Sequence, residues 1–127
     1  MEARSLALLG SAVRGAWGLG AFAAPDAMNR AQMTGGPDLA LPDARLYVRG
    51  FGAHQVLVAG FTIAATRARH LLRPALVLSA LIDALDIASA VAEVRARGGP
   101  DQTLVAGIVF SGAGLATFVA ALRALDD

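Results

Sequence analysis

The chain holds 127 residues, of which 56% are apolar and only 17% charged, with a formal net charge of +1 and a mean hydropathy of +0.57. That is one domain's length, more apolar than the roughly 45–50% of ordinary globular chains and opposite in bias to a disordered one. No segment gathers enough arginine to neutralise a phosphate backbone, so nucleic acid is not an expected partner; without cysteine there is neither a disulfide framework nor a thiolate metal site.

The apolar residues collect in four stretches, each close to the roughly 20 residues that carry an α-helix across a hydrocarbon core about 30 Å thick. The first covers residues 5–24 and is interrupted only by Arg14. Ala21-Phe22-Ala23 near its end resembles a small-residue cleavage site, but Arg14 lies inside what would have to be an uninterrupted apolar run, which argues for a retained span. Residues 25–45 read as a loop, with Pro25, Pro37, Pro42 and Gly35-Gly36, and one short interfacial turn around Ala27 to Met33. The second stretch, 46–66, bears Arg49, His54 and Gln55 near its start. The third, 74–94, places Pro74 in a first helical turn, where a missing N–H costs nothing, and contains Asp83 and Asp86. Gly98-Gly99-Pro100 separates it from the fourth, 103–122, which carries no charge. Soluble helices keep a polar face along their whole length, and these four do not. The sequence therefore predicts an all-α fold: an integral membrane four-helix bundle in up-down-up-down order, forming a single membrane domain over residues 1–127.

Arg67, Arg69 and Arg73 cluster in the link between the second and third stretches. Such a cluster stays cytoplasmic and keeps company with anionic headgroups, so a multi-pass protein of the cell membrane with both termini inside is expected. Arg30, Arg45, Arg95 and Arg97 then lie outside, which makes the bias slight. Lipid tails are as apolar as leucine, so the helices must associate through small residues and hydrogen bonds. Each stretch carries a stripe for this at helical spacing: Ser11, Gly15 and Gly18; Gly52, Gln55, Ala59, Thr62 and Thr66; Ser79, Asp83, Asp86, Ala90 and Glu93; Gly107, Ser111, Gly114 and Phe118.

Arg14, Asp83 and Asp86 sit at membrane depth, where a charge costs at least about 2.5–3.5 kcal/mol. At 1.5 Å per residue, Arg14 and Asp83 both lie about 13–14 Å below the starts of their stretches, which enter from the same side. They are an expected ion pair, either a register-fixing pin or part of a site. Two carboxylates three residues apart on one seam do not both ionise cheaply, so with Arg14 satisfying Asp83, Asp86 is expected to keep its proton and to be able to act as a general acid. His54 and Gln55 enter from the opposite face to a similar level, and either could hydrogen-bond Asp86. Arg49 is expected to meet Glu93 near the outer interface. His54 shares a face with Tyr47, Phe51 and Phe61, the setting of an interfacial residue as much as of a ligand. Trp17 falls too deep for an interfacial belt and should line the interior beside Arg14. No metal site is expected: His54, Asp83 and Asp86 could supply three ligands, but Arg14 beside them would repel a cation.

At Arg49-Gly50-Phe51-Gly52-Ala53-His54-Gln55, leading into Gly60, the chain resembles a family of small four-helix integral membrane proteins of unknown function found in bacteria and fungi. That resemblance implies the four-helix layout over residues 5–122 and an acidic residue in the third helix, matched here by Asp83 or Asp86. The family commonly has an Arg-Asp pair where this chain has His54-Gln55, and it carries no assigned activity.

A four-helix bundle can hold a cavity between its helices. The first functional expectation is a cofactor-free acid-base enzyme, of isomerase or cyclase type, or a binder for a lipophilic small molecule. Asp86 would be the acid, Asp83 or His54 would return the proton, and Arg14, Trp17, Arg49 and Gln55 would hold the substrate. The alternatives are a small proton-coupled transporter, which with four spans would need to be a homodimer, and a structural or accessory membrane protein whose charges only fix packing.

Overall fold

The computed structural model describes residues 2–32 and 42–126. Of the described residues 92% are helical, in five helices and no strands. These are α1 (Ala3–Ala23), α2 (Pro25–Gln32), α3 (Pro42–Ala65), α4 (Arg69–Arg97) and α5 (Gln102–Asp126). The four long ones cover the four apolar stretches to within one residue.

Local chemistry explains where the helices stop. Ala24 precedes proline and is driven out of the helical region, to φ −135° and ψ 62°. Pro25 then opens α2 at the position where a missing N–H is harmless, with Asp26 favourably placed in the first turn. The interfacial turn expected around Ala27 is therefore part of a full helix of 8 residues; the rest of the expected loop up to residue 41 lies outside the described residues. Gly98 closes α4 with a left-handed φ of 78°, and Gly99 N–H donates to the Val94 carbonyl at 3.0 Å. Asp101 caps α5, its carboxylate accepting the Leu104 N–H at 2.8 Å. One expectation fails: α4 begins at Arg69, so Pro74 lies inside it, past the first turn. The chain needs only the short turn at Arg67 and Ala68 to reverse, and the helix starts as soon as that turn ends. Pro74 gives up the bond to the His70 carbonyl, close to the helix end where His70 is exposed.

Helix α1 packs on α3 and α5, and α4 packs on α5 and α3. Neighbours are antiparallel: Arg4 Nε near the start of α1 donates to the Thr66 carbonyl just beyond α3 at 2.8 Å, and Arg73 in α4 pairs with Asp126 at the end of α5. Thus α1 and α4 stand diagonally opposite and run in the same direction. Helix α2 lies against α1 and α3, with Met28 over Gly20 and Asp26 paired to Arg45 at 3.3 Å.

The packing is inverted relative to a water-soluble core. Small and polar side chains fill the interior: Ala7, Ser11, Thr62, Ala75 and Ser79 are fully buried, with Leu76 and Phe118 among the few large ones. The large aliphatics face outward, Leu57 at 72%, Leu85 at 65% and Val109 at 65% exposure. Among the described residues, α1, α4 and α5 are long and apolar enough to cross a membrane. The expected second span, α3, does not reach that standard, because Arg49, His54 and Gln55 dilute its first half.

Candidate functional site

The small-residue stripes are the faces that close the interior. Gly18 and Gly52 bring α1 and α3 backbone to backbone, so that a Cβ on Gly52 would fall 2.6 Å from the Gly18 carbonyl oxygen. All of Gly52, Gln55, Ala59, Thr62 and Thr66 are buried. Thr62 Oγ1 donates to the Val58 carbonyl at 3.0 Å and stands 3.0 Å from the Ser79 hydroxyl, tying α3 to α4.

One turn further along, the expected ion pair is formed across the diagonal. Arg14 Nη2 lies 2.5 Å from Asp83 Oδ1, both side chains being almost wholly buried. The guanidinium also donates to the Ser79 carbonyl at 3.3 Å and sits 4.8 Å above the Phe118 ring, a cation–π contact in a desolvated setting. Gly114 makes room for this pair: a Cβ there would come within 2.5 Å of Asp83 Oδ2. Asp86, one turn on, is half-buried and accepts a long hydrogen bond from Gln55 Nε2 at 3.5 Å. Of the two candidate partners for Asp86, Gln55 is therefore the one that reaches it.

Above this cluster the helices part around a cavity of about 700 Å³. Its wall is mainly apolar, with Trp17, Phe51 and Phe110 on one side and Gln55, Asp83 and Asp86 at the polar end. Trp17 meets Phe51 edge-on at 5.3 Å and Phe110 at 5.5 Å. Several polar atoms here are buried without a hydrogen-bond partner: Asp83 Oδ2, Gln55 Oε1, Arg14 Nη1, Ser11 Oγ and Thr103 Oγ1. Orphaned atoms are uncommon in native interiors, where such groups are met by an ordered water, an ion or a ligand.

Of the residues singled out from sequence, Arg14, Trp17, Gln55, Asp83 and Asp86 converge. Two do not. His54 is exposed and is not part of the cavity wall, although it is near enough for its charge to act on Asp86. Arg49 is exposed, and Glu93 turns instead to Arg97 at 3.0 Å, which also holds Asp101 at 3.0 Å. A partner one helical turn away on the same face, Arg97, outcompetes one on another helix. Phe110 and Thr103 were not singled out, although Phe110 directly precedes Ser111 of the small-residue stripe and Thr103 lies one turn before Gly107.

Comparison with family models, with curated proteins and with solved structures finds no match to this chain. The likeness read at Arg49 to Gln55 therefore brings no assigned chemistry, and function has to be argued from the cluster and the cavity.

Proposed function

We propose that this chain is a four-helix integral membrane protein with both termini on the cytoplasmic side, and that it binds a lipophilic small molecule in the cavity. The observation that carries the membrane reading is the inversion of side-chain size: a polar, small-residue interior surrounded by exposed leucine and valine. The reading places α3 across the bilayer as well, its polar residues turned to the interior or to the membrane surface. On expression the protein is expected to stay in the pelleted membrane fraction after an alkaline carbonate wash. Release into the supernatant would overturn the membrane assignment.

The cavity supports the second half of the proposal. Its volume suits a lipophile, its aromatic side gives apolar contact, and Gln55, Asp83 and Asp86 supply a polar cluster in its wall. Binding is favoured over turnover for a geometric reason. An acid at Asp86 needs a second group to take the proton back, yet Asp83 is held by Arg14 and His54 lies outside the cavity wall. Gly107 lines the cavity and has nothing within 4 Å of a Cβ built on it, so a side chain can begin there without a clash, and Gly107→Leu is expected to take up cavity space. Mass spectrometry of small molecules co-purifying with the detergent-solubilised protein tests the reading. A compound enriched over bulk lipid in the wild type should fall about tenfold or more in Asp86→Asn, the loss expected when a hydrogen bond to a charged group goes. It should fall likewise in Gly107→Leu. Identical bulk-lipid profiles in all three proteins would defeat the binding proposal.

A further inference from the structure

Two acceptors at the polar end of the cavity have no donor. Asp83 Oδ2 and Gln55 Oε1 are both buried without a partner, on residues only 3% and 2% exposed, and both residues line the cavity. With Asp86 ionised, the Gln55 NH₂ is the end of the amide that faces it, because a carboxylate can only accept. Its carbonyl oxygen is thereby left for something that donates. Of the orphaned groups able to donate, Arg14 Nη1 belongs to a side chain that is not part of the cavity wall, while the Thr103 hydroxyl lines it and can accept as well as donate.

Charge points the same way. The charged groups facing Asp86 are Arg14 from α1, His54 from α3 and Asp83 from its own helix. The two carboxylates outnumber the one buried guanidinium, and a proton or a cation would offset the excess negative charge. Arg14 stands beside this site and opposes a cation, but its charge is matched by Asp83, which leaves the charge of Asp86 unmatched by it. Trp17, Phe51 and Phe110 present aromatic surface beside the carboxylates, which suits a cationic head as well as an alkyl chain.

We infer that the molecule this cavity takes is an amphiphilic ammonium ion, an aliphatic chain ending in a cationic N–H donor, whose head lies among Asp83, Asp86 and Gln55. The inference rests on the proposed binding role of the cavity. An ammonium at Asp86 and a proton on Asp86 are alternative ways of balancing the same charge.

Trp17 is the only tryptophan of the chain and lines the cavity, so its fluorescence reports occupancy. The full chain, in nanodiscs of phosphatidylcholine, is titrated with omega-brominated undecyl chains ending in an ammonium, a hydroxyl or a carboxylate, the bromine acting as quencher. The ammonium should quench saturably, at a concentration about tenfold or more below the alcohol, as a charge-assisted hydrogen bond predicts. The carboxylate should be weakest. Asp86→Asn should abolish the preference for ammonium over alcohol, and Gly107→Leu should remove saturable quenching by all three. An alcohol equal to the ammonium, or a carboxylate that binds better, would overturn the ligand class while leaving the cavity as a binding site. Quenching that never saturates and ignores Gly107→Leu would overturn the cavity reading together with this one.

Discussion

Replacing Arg14 alone by methionine is expected to cost about 3–5 kcal/mol of stability, because it leaves Asp83 as an uncompensated buried carboxylate. The size of the effect follows from how much this one side chain ties together. Arg14 holds Asp83 at 2.5 Å, the Ser79 carbonyl at 3.3 Å and the Phe118 ring at 4.8 Å, and so joins α1 to both α4 and α5. Asp83→Leu should cost a similar amount, since the guanidinium would then be stranded. The double variant Arg14→Met/Asp83→Leu removes both charges together with their desolvation penalty, and its stability should come within about 1–2 kcal/mol of the wild type. Thermal unfolding in mild detergent, followed by helical circular dichroism, separates these outcomes. A double variant as unstable as the two singles added together would mean that Arg14 and Asp83 are not coupled, which would overturn the pair as a pin between α1 and α4. Because Asp83 also lines the cavity, a stable double variant that has lost its co-purifying lipophile would show one pair serving both packing and binding.

The ion pair was legible in the sequence because depth in a membrane helix follows from counting residues. A rise of 1.5 Å per residue put Arg14 and Asp83 at one level, and the structure joins them. Depth alone does not give direction around the helix axis, and the same count misplaced Arg49 and His54. Both are level with the polar residues of α4, but they lie on the exposed face of α3, while Gln55, one residue on from His54, turns inward to Asp86. The small-residue stripe contained the missing direction, since it set Gln55 on one face with Gly52 and left His54 with Tyr47 and Phe51. Helix α2 was also within reach, because proline at a first helical position followed by an acidic residue is a recognisable start. The cavity was not. Its wall is drawn from α1, α3, α4 and α5 at once, so its shape is a property of four packed faces together. No single stripe encodes it.

Gly52 sets the close approach of α1 and α3, and Gly52→Ala is expected to be the most disruptive single methyl added at any of the described glycines. Its Cβ would lie 2.6 Å from the Gly18 carbonyl oxygen and 2.7 Å from the Phe22 nitrogen. Both are backbone atoms, which cannot swing aside as a side chain would, so α1 and α3 must move apart. Overpacking commonly costs about 1–3 kcal/mol, and with backbone as the obstacle the loss should reach or exceed the upper figure. Gly60→Ala on the same helix supplies the contrast. Nothing lies within 4 Å of a Cβ built there, and alanine is the better helix former by about 0.5–1 kcal/mol, so that variant should be as stable as the wild type or slightly more so. The two unfolding midpoints should therefore move in opposite directions, and equal midpoints would rule out the close α1–α3 approach. The site should register the same change. Trp17 is next to Gly18 and Phe51 next to Gly52, and these two rings meet across the α1–α3 seam at 5.3 Å. Parting the helices in Gly52→Ala should loosen that ring pair and shift the Trp17 emission, whereas Gly60→Ala should leave it unchanged. A cavity wall built on a glycine contact makes the packing of the helices and the shape of the binding space one and the same property.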